Sequence, residues 1–345
     1  MNKARVYSMF CIAVAAAAVL LVSCDLFKDR IKVGLVTNIT GINDRSFNAL
    51  AWKGIKAARK ELGVMGRYIV TQKDSDFLNN IQRFASLGCD LVVSMGFTQA
   101  DAAKSAALAN PATKFVIVDY GYDQQYDNLL GLLFQTDQAA FLAGYAAAAV
   151  TATGKVATFG GTEINPVTLF MDGFVLGVRY YNNQKGKNII VLGWNPDNQT
   201  GLFTGNFDSV EDGKSMAEEL IAGGADIIMP VAGLGGQGAA AGAQQQAGVL
   251  IVGVDTDWTT FAPDYADIIL VSVLKKIDVA VFDAIAKVAD GSFAGGSYIG
   301  TLANNGVGIT QVNWPDPSGA AAGENEIAAI KAGIIDGSIM TRPND

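Results

Sequence analysis

The sequence predicts an α/β protein of two Rossmann-like, doubly wound lobes, and three observations carry that prediction. From residue 31 onward, short aliphatic segments alternate with segments of helical period. After residues 134–155 the alternation restarts with a second series of the same kind. Finally, 345 residues, 50% of them apolar and only 17% charged, exceed what one compact core usually holds.

In the first series "IKVGLVT", "RYIVTQ", "DLVVSMG", "KFVIVD" and "LLGLLF" read as buried parallel strands, short, aliphatic and bounded by turns. Helical segments at 43–62, 76–87 and 98–109 lie between them. In the second, "VATFG", "IIVLGW", "ADIIMPV", "VLIVGVD" and "IILVSVL" alternate with helices near 165–183, 209–222 and 236–247. The tail from Asn304 carries one more helix, "ENEIAAIKAGIIDG", expected to pack back on a lobe.

Residues 1–23 do not belong to either lobe. Lys3 and Arg5 precede the apolar run "VYSMFCIAVAAAAVLLV", which ends at "LVSC" (21–24). That is signal-peptide character, and aliphatic, small and cysteine in that order resembles a bacterial lipobox, with Cys24 diacylated as the mature N-terminus. The run is short for a span, and no later segment is long and apolar enough to cross a membrane. The expectation is a lipid-anchored protein on the outer side of a cell membrane, periplasmic or extracellular.

Cleavage before Cys24 removes two cations and takes the net charge from −8 to −10, which argues against a nucleic-acid partner. Cys11 leaves with the leader and Cys24 carries lipid, so Cys89 has no disulfide partner. The chain has no histidine. That removes His-based nucleophile pairs, an imidazole general base and His-ligated metal sites.

Ligands of such sheets bind outside the carboxyl ends of the strands. Asn38, Asp119, Asp255 and Lys275 each close a strand, and Gly233 opens the loop after another. Each alone is also what a loop favours, but all point at one rim. "GLGGQG" (233–238) matches a dinucleotide fingerprint with Asp255 following it, yet it sits deep in the second series. "DGKS" (212–215) mimics the end of a phosphate loop, but Asp208 stands where the first glycine belongs.

Two helix entrances carry aromatics. With Asn43 as N-cap, Ile42 and Phe47 have the spacing of a hydrophobic staple, and Phe47 heads the stripe Ala51, Ile55, Ala58 and Leu62. With Asp208 and Glu211 as a capping pair, Phe207 precedes the cap and meets Asp212, which gives no staple. Phe207 therefore needs another partner, core or ligand.

The segments "VGLVTN", "GINDRSFNALAWKG", "GNFDSVEDGKSMAEELIAGGADII", "VAGLGGQG", "IVGVDTD", "VSVLKKIDVAVFDAI" and "GGSYIGTLANNGVGI" are similar to the basic membrane protein family. Its members are lipid-anchored receptors that serve the permease and ATPase subunits of ABC importers. The resemblance spans nearly all of residues 31–310 in order. It implies a periplasmic-binding-protein type I fold, with two lobes joined by three crossovers and a ligand clamped at the hinge. The lobes expected are 31–134 plus 276–302 and 135–275 plus 303–345. It also implies roles for a purine nucleoside: Phe47 and Phe207 sandwich the base, Asp119 faces its edge, and Asp255 with Lys275 holds ribose hydroxyls. Asn38, Asn43 and Gly233 line the cleft. No catalysis, cofactor or metal is implied, and two acidic groups against one lysine disfavour phosphorylated ligands.

Two positions depart from the family pattern. Asn38 stands where Asp is frequent, and Trp258 follows "GVDTD" where Gln is usual. An extra indole suits a wider heteroaromatic such as riboflavin. Alternative readings are a receptor of the same fold for riboflavin, a sugar or a signalling molecule, or a dinucleotide-dependent enzyme.

Overall fold

The aliphatic runs of the two series assemble into two six-stranded sheets, seen in a computed structural model that describes residues 30–342. Cys24 and the leader lie outside the described residues. The first series comprises β1 (Lys32–Val36), α1 (Phe47–Glu61), β2 (Met65–Ile69), α2 (Phe77–Ser86), β3 (Leu91–Met95), α3 (Ala100–Ala109), β4 (Lys114–Val118) and β5 (Leu129–Phe134). The second opens with α4 (Thr136–Val150), β6 (Lys155–Gly160), α5 (Asn165–Lys185), β7 (Ile190–Leu192), β8 (Trp194–Asn195) and β9 (Thr200–Gly201). It continues through α6 (Val210–Ala222), β10 (Ile227–Val231), α7 (Leu234–Gln244), β11 (Leu250–Asp255), α8 (Trp258–Phe261) and β12 (Ile269–Lys275). Then follow α9 (Ile277–Asp290), β13 (Gly296–Gly300), β14 (Val307–Ile309) and α10 (Pro317–Ile335).

The sheet orders are β13-β5-β4-β3-β1-β2 and β14-β12-β11-β10-β6-β7, so the two lobes repeat one plan. All pairings in the first sheet are parallel, and only β14 runs antiparallel in the second. Central strands such as β3 and β10 are buried along their whole length, which is why their sequences are continuously aliphatic. β2 departs from the expected buried strand. It is an edge strand with Met65, Arg67 and Tyr68 exposed, consistent with its polar composition. The expected strand "IIVLGW" is broken at Gly193, whose φ of +87° turns the chain from β7 into β8.

The chain passes between the sheets three times: after Phe134, after Lys275 and between Gly300 and Val307. These passages are bonded to one another. The Gln135 N–H donates to the Gly300 carbonyl (2.8 Å), and the Lys276 N–H donates to the Gly306 carbonyl (3.0 Å). The Leu302 N–H donates to Gln138 Oε1 (2.9 Å). Helix α4, rich in alanine, is buried on nearly every face between α5 and the second sheet. Helix α9 returns to the first lobe and packs on α1, with Lys53 and Asp278 paired at 2.7 Å.

Candidate functional site

The third strand in each sheet order brings an aspartate to the carboxyl rim, Asp119 directly after β4 and Asp255 as the last residue of β11. Asp119 and Asp255 both adopt left-handed backbone angles, with φ of +65° and +66°. Non-glycine residues rarely occupy that region, aspartate more readily than most, and such strain clusters at functional sites. Lys275 closes β12 and reaches across the lobes to Asp119, Nζ to Oδ2 at 2.5 Å. Their side chains are 3% and 10% exposed. The same ammonium lies 5.3 Å from the ring centre of Phe47, 5.5 Å from Phe134 and 6.0 Å from Phe170, an aromatic cage of cation–π distances. Burial pushes the Asp119 carboxyl above its usual range against the pull of Lys275, and the charge of Asp255 adds to the rise.

The turn after β1 is organised by Asp44 rather than Asn43. Its buried carboxylate accepts the backbone N–H groups of Ser46 (3.1 Å), Asn48 (2.8 Å) and Ala49 (3.0 Å). That satisfies donors at the entrance of α1 and corrects the expected cap: the helix begins at Phe47, and Asn43 is exposed. Phe47 is thus the first helical residue, so the staple with Ile42 does not form. Ala51, Ile55 and Ala58 are buried as expected, Leu62 is exposed, and Phe47 is half-buried beneath the cleft. Asn38 Oδ1 accepts from Thr40 Oγ1 (2.7 Å) and from Asn48 Nδ2 (2.8 Å), so this oxygen holds the turn together. Ser46 Oγ donates to Asp255 Oδ2 at 2.7 Å, a second bond between the lobes.

On the opposite wall Ser209, not Asp208, caps α6, accepting from the Asp212 N–H at 3.1 Å. Phe207 is half-buried, with its ring laid against Gly161, where any Cβ would collide with it. The apolar partner missing from its own helix is therefore the end of β6. Gly233 (φ +57°) follows β10 and bends back, so that a Cβ would lie 2.7 Å from the Phe207 carbonyl oxygen. In the first lobe, Gly96 follows β3, the strand equivalent to β10, and the Phe47 ring lies 3.7 Å from its Cβ direction.

Trp258 is 5% exposed and belongs to the core of the second lobe. Its indole N–H donates to the Val254 carbonyl at 2.9 Å, so the ring offers a wall but no free donor. Between Asp44, Arg45 and Ser46 on one side and Gly233, Gln237 and Trp258 on the other lies a narrow gap with a cavity of only about 10 Å³.

Phe47, Asp119, Lys275 and Asp255 thus meet directly or through Ser46, and Gly233 touches Phe207 on the facing wall. Sequence reasoning does not single out Ser46, Asp44, Phe134 or Phe170. Ser46 lies in the turn "GINDRSFN", but its partner is 209 residues away and no local pattern signals it. Chemically, the rim offers aromatic faces and a buried pair of acidic and basic groups.

The model of the family described as Bmp, ABC transporter substrate-binding protein PnrA-like, matches residues 31–331. The chain is 30% identical over 365 residues to the ABC transporter nucleoside-binding protein BmpA of Lactococcus lactis, covering 98% of each. It is 30% identical over 288 residues to an uncharacterized lipoprotein of Pyrococcus abyssi, covering 81% of this chain and 69% of the other. Among solved structures it resembles an ABC transporter solute-binding protein of Aeropyrum pernix, with a TM-score of 0.79 and 27% identity over 91% and 94% of the two chains.

Proposed function

We propose a ligand for a chain that belongs to the Bmp family of PnrA-like ABC transporter substrate-binding proteins: a purine nucleoside held between the lobes. As a member of that family it is a receptor that serves a transporter, not an enzyme.

The observation that carries the reading is the inter-lobe pair Lys275–Asp119, with Asp255 beside it and Phe47 over the ammonium. A cis-diol can bridge ammonium and carboxylate through charge-assisted hydrogen bonds. In this reading Asp255 and Lys275 take the ribose hydroxyls, and Asp119 turns to the base edge. Phe47 and Phe207 supply stacking faces, worth about 1–3 kcal/mol per base. Gly233, Asn43 and the Asn38 turn line the cleft, and the lobes close by hinge motion about the three bonded passages. The nucleoside-binding relative from Lactococcus lactis supports the same ligand class. Trp258 would favour a wider heteroaromatic such as riboflavin, but its N–H is already bonded and nothing else points that way.

An acylated Cys24 tethers the receptor outside the cytoplasm in this reading, beside its permease and ATPase partners. The lipoprotein relative supports the anchor. No helix among the described residues is long and apolar enough to cross a membrane.

The experiment is mass spectrometry of the small molecules released on denaturing freshly purified protein. A purine nucleoside in stoichiometric amount is the expected result. Riboflavin or a sugar in its place would overturn the reading.

A further inference from the structure

The free edge of the first sheet is β2, and the second half of α1 lies beside it. A Cβ built on Gly66 would stand 3.3 Å from the Arg59 stem and 3.5 Å from the Trp52 ring, and Trp52 meets Tyr68 edge to face at 5.0 Å. Helix face and strand therefore form one surface. Lys56, Arg59 and Lys60 reach it from the helix and Arg67 from the strand, all exposed. Among the described residues none of the four makes an ion pair or a side-chain hydrogen bond. Three large apolar side chains are exposed among them: Leu62, Met65 and Tyr68, at 41%, 38% and 44%.

The acids nearby do not neutralise this edge. Glu61 is the one anion within residues 56–67. It follows by two helical turns Gly54, which packs on the α9 backbone at Asp278, so it stands on the far side of α1. Asp278 itself is paired with Lys53. Asp90 precedes β3 and accepts the Lys32 N–H at 2.8 Å, with the Lys32 side chain exposed beside it. Asp74 and Asp76 lie beyond the other end of β2, Asp76 next to Lys73. Four cations against one anion thus gather on one edge of a chain whose acids outnumber its bases 33 to 25.

We propose that this edge rests on an anionic phospholipid surface. Charges on an edge strand guard it against pairing with another strand, which accounts for Arg67. It does not account for three cations on the helix or for exposed apolar side chains between them. Lys and Arg on a helix face beside Tyr, Leu and Met are the composition of a segment lying in the headgroup region, where long stems bury and charged heads meet phosphate. Position agrees. The Ile31 carbonyl accepts from the Met65 N–H at 2.7 Å, so the chain enters the lobe at this edge. Cys24 precedes Ile31 by seven residues, at most about 25 Å of extended chain, so the proposed lipid anchor holds the edge within reach of a membrane. The inference rests on that anchor for proximity alone. With the first lobe held by its edge, hinge motion is left to the second.

The test places the full-length protein on vesicles of phosphatidylcholine, or of equal parts phosphatidylcholine and phosphatidylglycerol. A neutral amine-reactive ester then marks lysines, quantified by mass spectrometry. Lys56 and Lys60 are expected to react about five-fold more slowly on the mixed vesicles, the effect of about one basic contact, with Lys187 of the second lobe unchanged. Arg59→Glu with Arg67→Glu should abolish that protection without lowering the melting temperature. Equal rates on both vesicles would overturn the proposal. So would protection that needs no vesicles and grows with protein concentration, which assigns the edge to a second copy, or protection that requires a transporter subunit, which assigns it to a protein. Flotation with phosphatidylcholine vesicles reports the anchor separately: flotation with the mixed vesicles alone would remove the anchor and leave the edge standing, and flotation with neither would remove both.

Discussion

Lys275 of the second lobe and Asp119 of the first form an ion pair of 2.5 Å, buried at the junction of the two lobes. Removing one partner of a buried pair leaves an uncompensated charge and costs about 3–5 kcal/mol when the site stays buried. Here the charge has a route to water, because the partners sit on separate lobes. Asp119→Asn is therefore expected to open the unliganded protein, read as a larger radius of gyration in small-angle scattering together with a lower melting temperature. Asp119→Asn combined with Lys275→Met removes both charges and should be more stable than Asp119→Asn alone. A double variant less stable than the single one would mean that the pair is not what opposes opening.

The two phenylalanines have similar standing in the fold. Both are half-buried, Phe47 at the first turn of α1 and Phe207 on Gly161. Each change to alanine should weaken nucleoside binding by about 1–3 kcal/mol, the loss of one stacking face. Each should cost less stability than the roughly 3–5 kcal/mol of a fully buried Phe→Ala change. Titration calorimetry and thermal melts on both variants check this. A variant that binds normally but melts like a core deletion would reassign its ring to the core.

That parity is not legible in the sequence, and the reason is local. "GINDRSFN" contains several residues able to cap a helix, and spacing alone does not choose among them. Asp44 does so because its carboxylate reaches three backbone donors at once, which moves the helix start to Phe47 and removes the staple. The same ambiguity moves the α6 cap from Asp208 to Ser209. The strand–helix rhythm and the strand-closing residues Asp119, Asp255 and Lys275 are legible, since burial on both faces leaves a continuous aliphatic signature that ends in a polar residue. The Ser46–Asp255 bond is not, being a product of how the two lobes meet.

The C-terminal helix provides a pH-dependent contact. Glu326 accepts from Lys185 Nζ (2.6 Å) and from the Tyr145 hydroxyl (2.7 Å), and these bonds hold its carboxyl below the usual range. A carboxyl lowered by folding stabilises fully above its unfolded value, near ~4.3, and loses that contribution as pH falls through the folded value. The difference in melting temperature between wild type and Glu326→Gln should be steady near neutrality and shrink in acid below about pH 4. A difference that grows on acidification would contradict the assignment.

The proposed lipid anchor rests on the tetrapeptide "LVSC". Cys24→Ala is expected to leave an uncleaved precursor that takes up no labelled fatty acid in the producing cell. Labelling that persists in the variant places the lipid on another residue.

Ligand class is tested most directly by a thermal-shift panel on the purified protein. A ligand that binds only the folded form stabilises it by about 2.7 kcal/mol at a hundred times its Kd, so candidates can be ranked before any affinity is measured. Guanosine, inosine or adenosine is expected to raise the melting temperature clearly. Free bases, which have no diol for Asp255 and Lys275, should do less, as should monophosphates, which bring negative charge to a rim with two aspartates. A shift with riboflavin or with sugars, and none with any purine nucleoside, would contradict the account.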